Sequence, residues 1–228
     1  MLLTWISPKD YLQLIKNMKK IHILILVLVA CMVMPTQLQA RKKKVDIYDL
    51  SLDDNLETPE INNAKHSQRI QDYQYDVAVS LKKQNYDVEL MRDNEVIVIT
   101  LPAGQLFAPN DTVLTSLGMV SLKPLLKFLA NPGFYKMLLV MHSDNTGSKH
   151  YTEALTRARV NAVFDWIDEN ASVDFVVPYA LGDTDPLNDN NSMENRKHNR
   201  RLEIYLVPEE VMVNQAKKGK INIKLIQK

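Results

Sequence analysis

The stretch Met137-Leu138-Leu139-Val140-Met141-His142-Ser143-Asp144-Asn145-Thr146-Gly147 decides how this chain is read. Met137–Met141 is a continuous apolar run, the pattern of a strand buried on both faces. Ser143–Gly147 is a polar turn that ends the run. Tyr151–Ile167 follows, with Ala154, Leu155, Ala158, Ala162, Val163, Trp166 and Ile167 on one stripe and Arg157, Asn161 and Asp165 off it. That spacing predicts an amphipathic helix. A loop that leaves a strand and feeds a helix N-terminus suits charged ligands, because the first N–H groups are free and the helix dipole is positive there. Asp144 offers a site for a cation, while an arginine and the free amides offer one for an anion. The pair suits a zwitterion such as an amino acid. The competing reading makes Asp144 a turn residue ahead of Gly147.

Working outward, Ala64–Leu81 carries Ile70, Tyr73, Val77 and Leu81 at helical spacing and predicts a lead-in helix. Tyr86–Met91 alternates, Arg92-Asp93-Asn94 turns, and Glu95–Leu101 is rich in β-branched residues, which together predict a hairpin. Val120–Ala130 reads as a helix stopped by Asn131-Pro132-Gly133, with Pro124 in its first turn. Val173–Tyr179 and Arg201–Val207 read as further strands, with a polar loop over Asp183–Asn199 between them. The expected fold is an α+β two-layer sandwich: a β-hairpin, then α-β-α-β-loop-β, with the helices on one face of a mixed sheet.

The ends read differently. Ile23–Met34 is twelve apolar residues preceded by Met18-Lys19-Lys20. That is short of the about 20 residues of a membrane span and suits a secretory signal starting at Met18. Residues 1–40 are therefore expected to be a signal segment, with a tilted membrane anchor as the alternative. Two processing sites compete. One lies after Ala40; the other is a lipobox, Leu28-Val29-Ala30-Cys31, which would make Cys31 a lipid anchor. Either exports the protein. Residues 41–84 are expected to be a linker and the lead-in helix: Arg41–Lys44 is basic, and Ser51–Asn63 is polar and aperiodic, as in a tether. Residues 209–228 form a basic extension with Lys217, Lys218, Lys220, Lys224 and Lys228, expected to be an extra edge strand or a frayed end.

Composition narrows the function classes. The 228 residues allow one domain plus extensions, or two small domains. Lys+Arg 28 against Asp+Glu 27 gives no cationic excess for nucleic acid. Cys31 is the sole cysteine, which excludes a disulfide framework and a cysteine-built zinc site. His142 and His150 are not at i,i+4 spacing and complete no metal pattern. No serine or histidine sits in a nucleophile motif, so no enzyme activity, metal or cofactor is expected.

Met141–Gly147, with Leu155-Thr156-Arg157-Ala158-Arg159 and Val163, resembles the C-terminal peptidoglycan-binding domain of the OmpA family, shared with Pal and MotB. The family writes the loop as G-H-T-D-x-x-G and the helix as N-x-x-L-S-x-x-R-A-x-x-V. Its signature N-R-R-[VL]-E-[IV] stands here as Asn199-Arg200-Arg201-Leu202-Glu203-Ile204. Leu106–Leu114 is similar to the family's segment before the first helix, and Gly182 with Pro186 fits its G-x-x-x-P loop. The resemblance spans residues 85–208, and several linked motifs in order are more specific than one.

The resemblance implies noncovalent binding of the peptidoglycan stem peptide through diaminopimelate. By match, Asp144 takes the ammonium, Arg159 the carboxylate, and Thr146 and the loop amides, including that of Asn145, add hydrogen bonds. Arg200 matches a residue lining the same groove; its alternative is a strand-end pair with Glu203 or Glu194. Arg201 supports the sheet from the other face. Thr152 replaces the motif asparagine, Ala108 an acidic residue, and Val160 an alanine, so binding is expected to be weaker or differently tuned. The implied role is an exported module, periplasmic and associated with the outer membrane, that tethers the wall. A stator or transport-complex subunit with an uncleaved N-terminal helix is the alternative.

Overall fold

The computed structural model describes residues 46–221. The signal, cleavage, lipobox and basic-run readings fall in residues 1–45, and part of the basic tail falls in 222–228; both lie outside the described residues. The helices are α1 (Leu52–Asn55), α2 (Ala64–Lys83), α3 (Ala103–Leu106), α4 (Ser116–Leu122), α5 (Lys149–Asp168), α6 (Met193–Asn199) and α7 (Glu210–Lys217). The strands are β1 (Asp87–Met91), β2 (Val96–Pro102), β3 (Tyr135–His142), β4 (Val176–Gly182) and β5 (Arg201–Pro208). They form one mixed sheet in the order β1-β2-β5-β3-β4, antiparallel except for the β3–β4 pair. The α+β fold is the one expected from the hydrophobic pattern.

The central strand shows why. Every residue of β3 is buried. Met137, Leu139 and Met141 face the main core, where Val160, Val163 and Ile167 of α5 and Ile70, Val77 and Leu81 of α2 meet them. Leu138 and Val140 face the other way and need a cover of their own. Residues 46–56 supply it. Leu56, Ile47 and Leu52 pack with Leu138, Val140, Val177 and Val207. Polar bonds fix this strap: Asn55 donates to the Tyr179 hydroxyl (2.6 Å) and to the Ile47 carbonyl (2.7 Å). The Tyr179 hydroxyl donates to Leu50 (3.0 Å), and Arg92 donates to the Leu56 carbonyl (2.7 Å). Thus Ser51–Leu56, expected as tether, lies on the sheet. Leaving Leu138 and Val140 bare would forgo about 1.5–3 kcal/mol for each side chain, and a strap without periodicity can recover it.

Other differences have local causes. The helix expected over Val120–Ala130 starts earlier, at Ser116, where the Thr115 side chain accepts from the Gly118 N–H (3.0 Å). From Lys123 to Leu129 it tightens to a 3₁₀ helix. Pro124 has no N–H to donate back into the α-helical ladder. The last strand before the polar loop runs Val176–Gly182, because Val173–Phe175 form a turn closed by Val176 N–H to Val173 (2.9 Å). The polar loop holds α6, capped by the Ser192 side chain. Neither an edge strand nor a frayed end forms at 210–217. That segment is helical because Met212, Val213 and Ala216 share one buried face against α2, and Arg69 donates to the Ala216 carbonyl (2.8 Å). Among the described residues, no helix is long and apolar enough to cross a membrane.

Candidate ligand-binding cleft

The ends of β3 and β5 lie side by side, with His142 paired to Arg201. A register slip between Met141 and His142 on the β4 side turns the following loop outward. Asp144 leaves β3 there, and Arg200 enters β5 beside it. Asp144 is buried; its Oδ1 accepts from the Thr146 N–H (2.8 Å) and its Oδ2 accepts from Arg200. Burial alone would raise the Asp144 carboxyl, but the Thr146 hydrogen bonds and the Arg200 charge hold it below the usual carboxylate range.

Arg159 reaches the same space from α5. It is 6% exposed, and its Nε donates to the Asp111 carbonyl (2.8 Å) while Nη2 reaches that of Ala108 (3.4 Å). Its guanidinium lies 5.1 Å from the Phe107 ring centroid, a cation–π contact. Burial, and then repulsion from Arg200, lower its proton affinity; an arginine still keeps its charge at any physiological pH. The loop over residues 108–111 thus holds Arg159 by backbone carbonyls, with Ala108 at the position of the resembled motif's acidic residue.

Asp144, Thr146, Arg159 and Arg200 all line one open cavity of about 440 Å³. It carries two guanidinium groups and one carboxylate, and can take a carboxylate on the cations and an ammonium on Asp144. Asn145 and Thr152 do not line it. Thr152 is fully buried, and its hydroxyl bonds to the Lys149 carbonyl and Asp183 Oδ1, both at 2.9 Å. Position 152 therefore ties α5 to the loop after β4. Val160 lies in the core below the site.

Tyr151, Leu155 and Phe107, none of them expected at the site, also line the cavity. A signal was present: Tyr151, Leu155 and Arg159 follow at i, i+4 and i+8, one face of α5. The Tyr151 ring lies over Gly147, whose φ is 108° and where an added Cβ would come within 2.8 Å of Tyr151 Cδ1. A side chain at 147 would displace the cavity wall.

On the opposite face of the sheet, His142 Nε2 lies 3.2 Å from Glu203 Oε2. Glu203 also accepts from Arg201 Nε (2.6 Å) and the Tyr205 hydroxyl (2.5 Å). His142 belongs to this buried cluster and does not line the cleft. Arg201 braces the far face, as the alternation of β5 predicts, and Arg200 pairs with Asp144 rather than with Glu203 or Glu194.

No family model matches the chain, and no curated protein matches it in sequence. Solved structures match it in fold. A MotB-like protein from Desulfovibrio vulgaris is 20% identical, with 62% of this chain and 95% of that one covered and a TM-score of 0.55. The cell wall anchor of the T6SS from Pseudomonas aeruginosa is 25% identical, with 62% of this chain and 98% of that one covered and a TM-score of 0.50. The described residues of this chain share the α+β fold of these two structures.

Proposed function

We propose that the protein is a noncatalytic, exported module that binds peptidoglycan and holds the cell wall to the envelope. The observation that carries this reading is the convergence of Asp144, Arg159 and Arg200 on one cavity at the strand ends. Diaminopimelate in the stem peptide is the zwitterion proposed for it. Its ammonium meets Asp144, and its carboxylate meets Arg159 and Arg200. Thr146 adds a hydroxyl at the rim. Asn145 stands beside the site, and Thr152 braces the helix that carries Arg159. Charge-assisted bonds of this number suit micromolar to millimolar affinity, order-of-magnitude. Weak sites hold well when a tether keeps them near a polymer. Residues 1–40 are proposed to direct export, and the outer membrane is the proposed anchorage.

Similarity to a cell wall anchor of a secretion machine supports wall attachment. It also favours a second reading, in which the same domain anchors a membrane complex rather than the outer membrane. Extraction of membranes followed by N-terminal sequencing separates the two: a cleaved N-terminus supports the first, a retained apolar segment the second.

The binding reading is tested on purified sacculi. Asp144→Ala and Arg159→Ala should each abolish pull-down while circular dichroism stays that of the folded domain. If both variants sediment with sacculi like the parent protein, the site is wrong.

A further inference from the structure

A second cavity, of about 530 Å³, lies next to the cleft. The single turn α3 walls both: Ala103 and Gly104 line the cleft, and Gln105, with Pro102 at the end of β2, lines the neighbour. Helix α4 does the same, giving its cap Thr115 to one and Val120 with Ser121 to the other. A helix is about 10 Å across, which sets the scale of the separation. Gly104, on the turn between them, stands against open space, since a Cβ there would meet nothing within 4 Å. One extended ligand can pass over it.

The two cavities differ in chemistry. The cleft holds two guanidinium groups and a carboxylate. The neighbour has no cation, and Asp87 is its only charged residue. The rest of its polar lining is neutral: the amides of Gln84, Asn85 and Gln105 and the hydroxyls of Thr100 and Ser121. Tyr86 and Val120 add apolar faces. Gln105 donates to Ser121 Oγ (2.5 Å) and Tyr86 to the Ser121 carbonyl (2.7 Å), so these side chains are held in place. Asn85 stands two residues past α2 with φ 65°; its backbone N–H donates to the Lys82 carbonyl (3.0 Å), which leaves the side-chain amide to face the cavity. Amides and hydroxyls that both donate and accept, beside an aromatic ring, match a ligand with hydroxyl and acetamido groups on an apolar ring. They do not match a phosphate or a peptide carboxylate.

We propose that this cavity is a subsite for the N-acetylated sugar from which the stem peptide hangs. The proposal rests on the reading of the cleft as the stem-peptide site. Joining the two ligand parts makes the second contact intramolecular, so affinity rises without any change at the first.

The test compares a purified disaccharide–tripeptide with the free tripeptide, by calorimetry on the full chain. The disaccharide–tripeptide should bind roughly tenfold more tightly. Asn85→Gly, which keeps the left-handed backbone, and Gln105→Ala should each bring the ratio toward one and leave the tripeptide affinity unchanged. The unchanged tripeptide affinity reports that the variants are folded. Equal affinities in the parent protein overturn the sugar subsite and leave the cleft reading standing. A sugar advantage that survives both substitutions overturns its location. If neither ligand binds, both readings fall.

Discussion

Arg200 and Arg201 are neighbours in the chain and opposites in environment. Arg200 is 40% exposed, faces the cleft and meets Asp144. Arg201 is 2% exposed on the other face of the sheet. There its Nε meets Glu203, and its remaining nitrogens reach the Asn199 and Asp185 carbonyls at 3.2–3.3 Å. The strand period of two sends adjacent side chains to opposite faces. One face at this end of the sheet holds the candidate cleft, and the other holds a brace. Chemically identical groups are thus divided between an open cleft and a buried brace by a single step along the backbone.

The largest effect should come from Arg201→Ala. It leaves the Glu203 carboxylate buried beside His142 and Tyr205 without its permanently charged partner. Breaking a buried pair in this way costs about 3–5 kcal/mol. Urea unfolding followed by circular dichroism should show a midpoint far below that of the parent protein. A change under about 1 kcal/mol would mean that Arg201 is no brace, and the contrast between the two arginines would collapse.

Acid should probe the same face. Burial alone would raise the Glu203 carboxyl, but hydrogen bonds from His142 and Tyr205, the His142 charge and Arg201 bring it down from 4.5 to about 2. A depressed folded-state value means that the stability is present above the unfolded value and lost as pH falls. The loss should therefore run from about pH 4.5 down to about pH 2. Its size is at most roughly 3 kcal/mol, less what solvent screens. Glu203→Gln should be less stable at neutral pH and should lose less between those limits. An unaltered acid slope in Glu203→Gln would place the acid sensitivity elsewhere.

Much of this was legible in the chain, for physical reasons. The apolar run Met137–Met141 announces a strand covered on both faces, and the polar turn after it lies at the candidate cleft. The alternation of β5 was enough to put Arg201 behind the sheet. What escaped depended on packing. Ile47, Leu52 and Leu56 have no helical or strand period, so only the bare apolar face that they cover gives them a role. Thr152 occupies a motif position, yet its hydroxyl is spent on Lys149 and Asp183. Such a partner lies 31 residues away in the chain and has no local signature. Tyr151 and Leu155 were readable by spacing, but only once Arg159 was known to face a cavity.

Arg200→Ala should have the smallest effect on stability and a clear one on binding. Its side chain is partly in water, where an ion pair contributes about 0–1 kcal/mol. Asp144 keeps the Thr146 N–H as a partner, so the carboxylate is not orphaned. Unfolding midpoints should shift by less than about 1 kcal/mol. The cleft, however, drops from two cations to one, and a ligand carboxylate loses a charge-assisted bond of about 1.5–3 kcal/mol. Stem-peptide affinity should fall by roughly tenfold or more. There is an opposing term: Asp144, released from Arg200, becomes a better partner for the ligand's ammonium. If that term wins, Arg200→Ala binds more tightly, and Arg200 is then a competitor that guards Asp144 rather than a ligand contact. Calorimetry with a stem tripeptide and with its amidated form distinguishes the two. A true carboxylate contact makes the amidation penalty smaller in Arg200→Ala than in the parent protein, because only Arg159 remains to meet that group, whereas a guard leaves the amidation penalty intact.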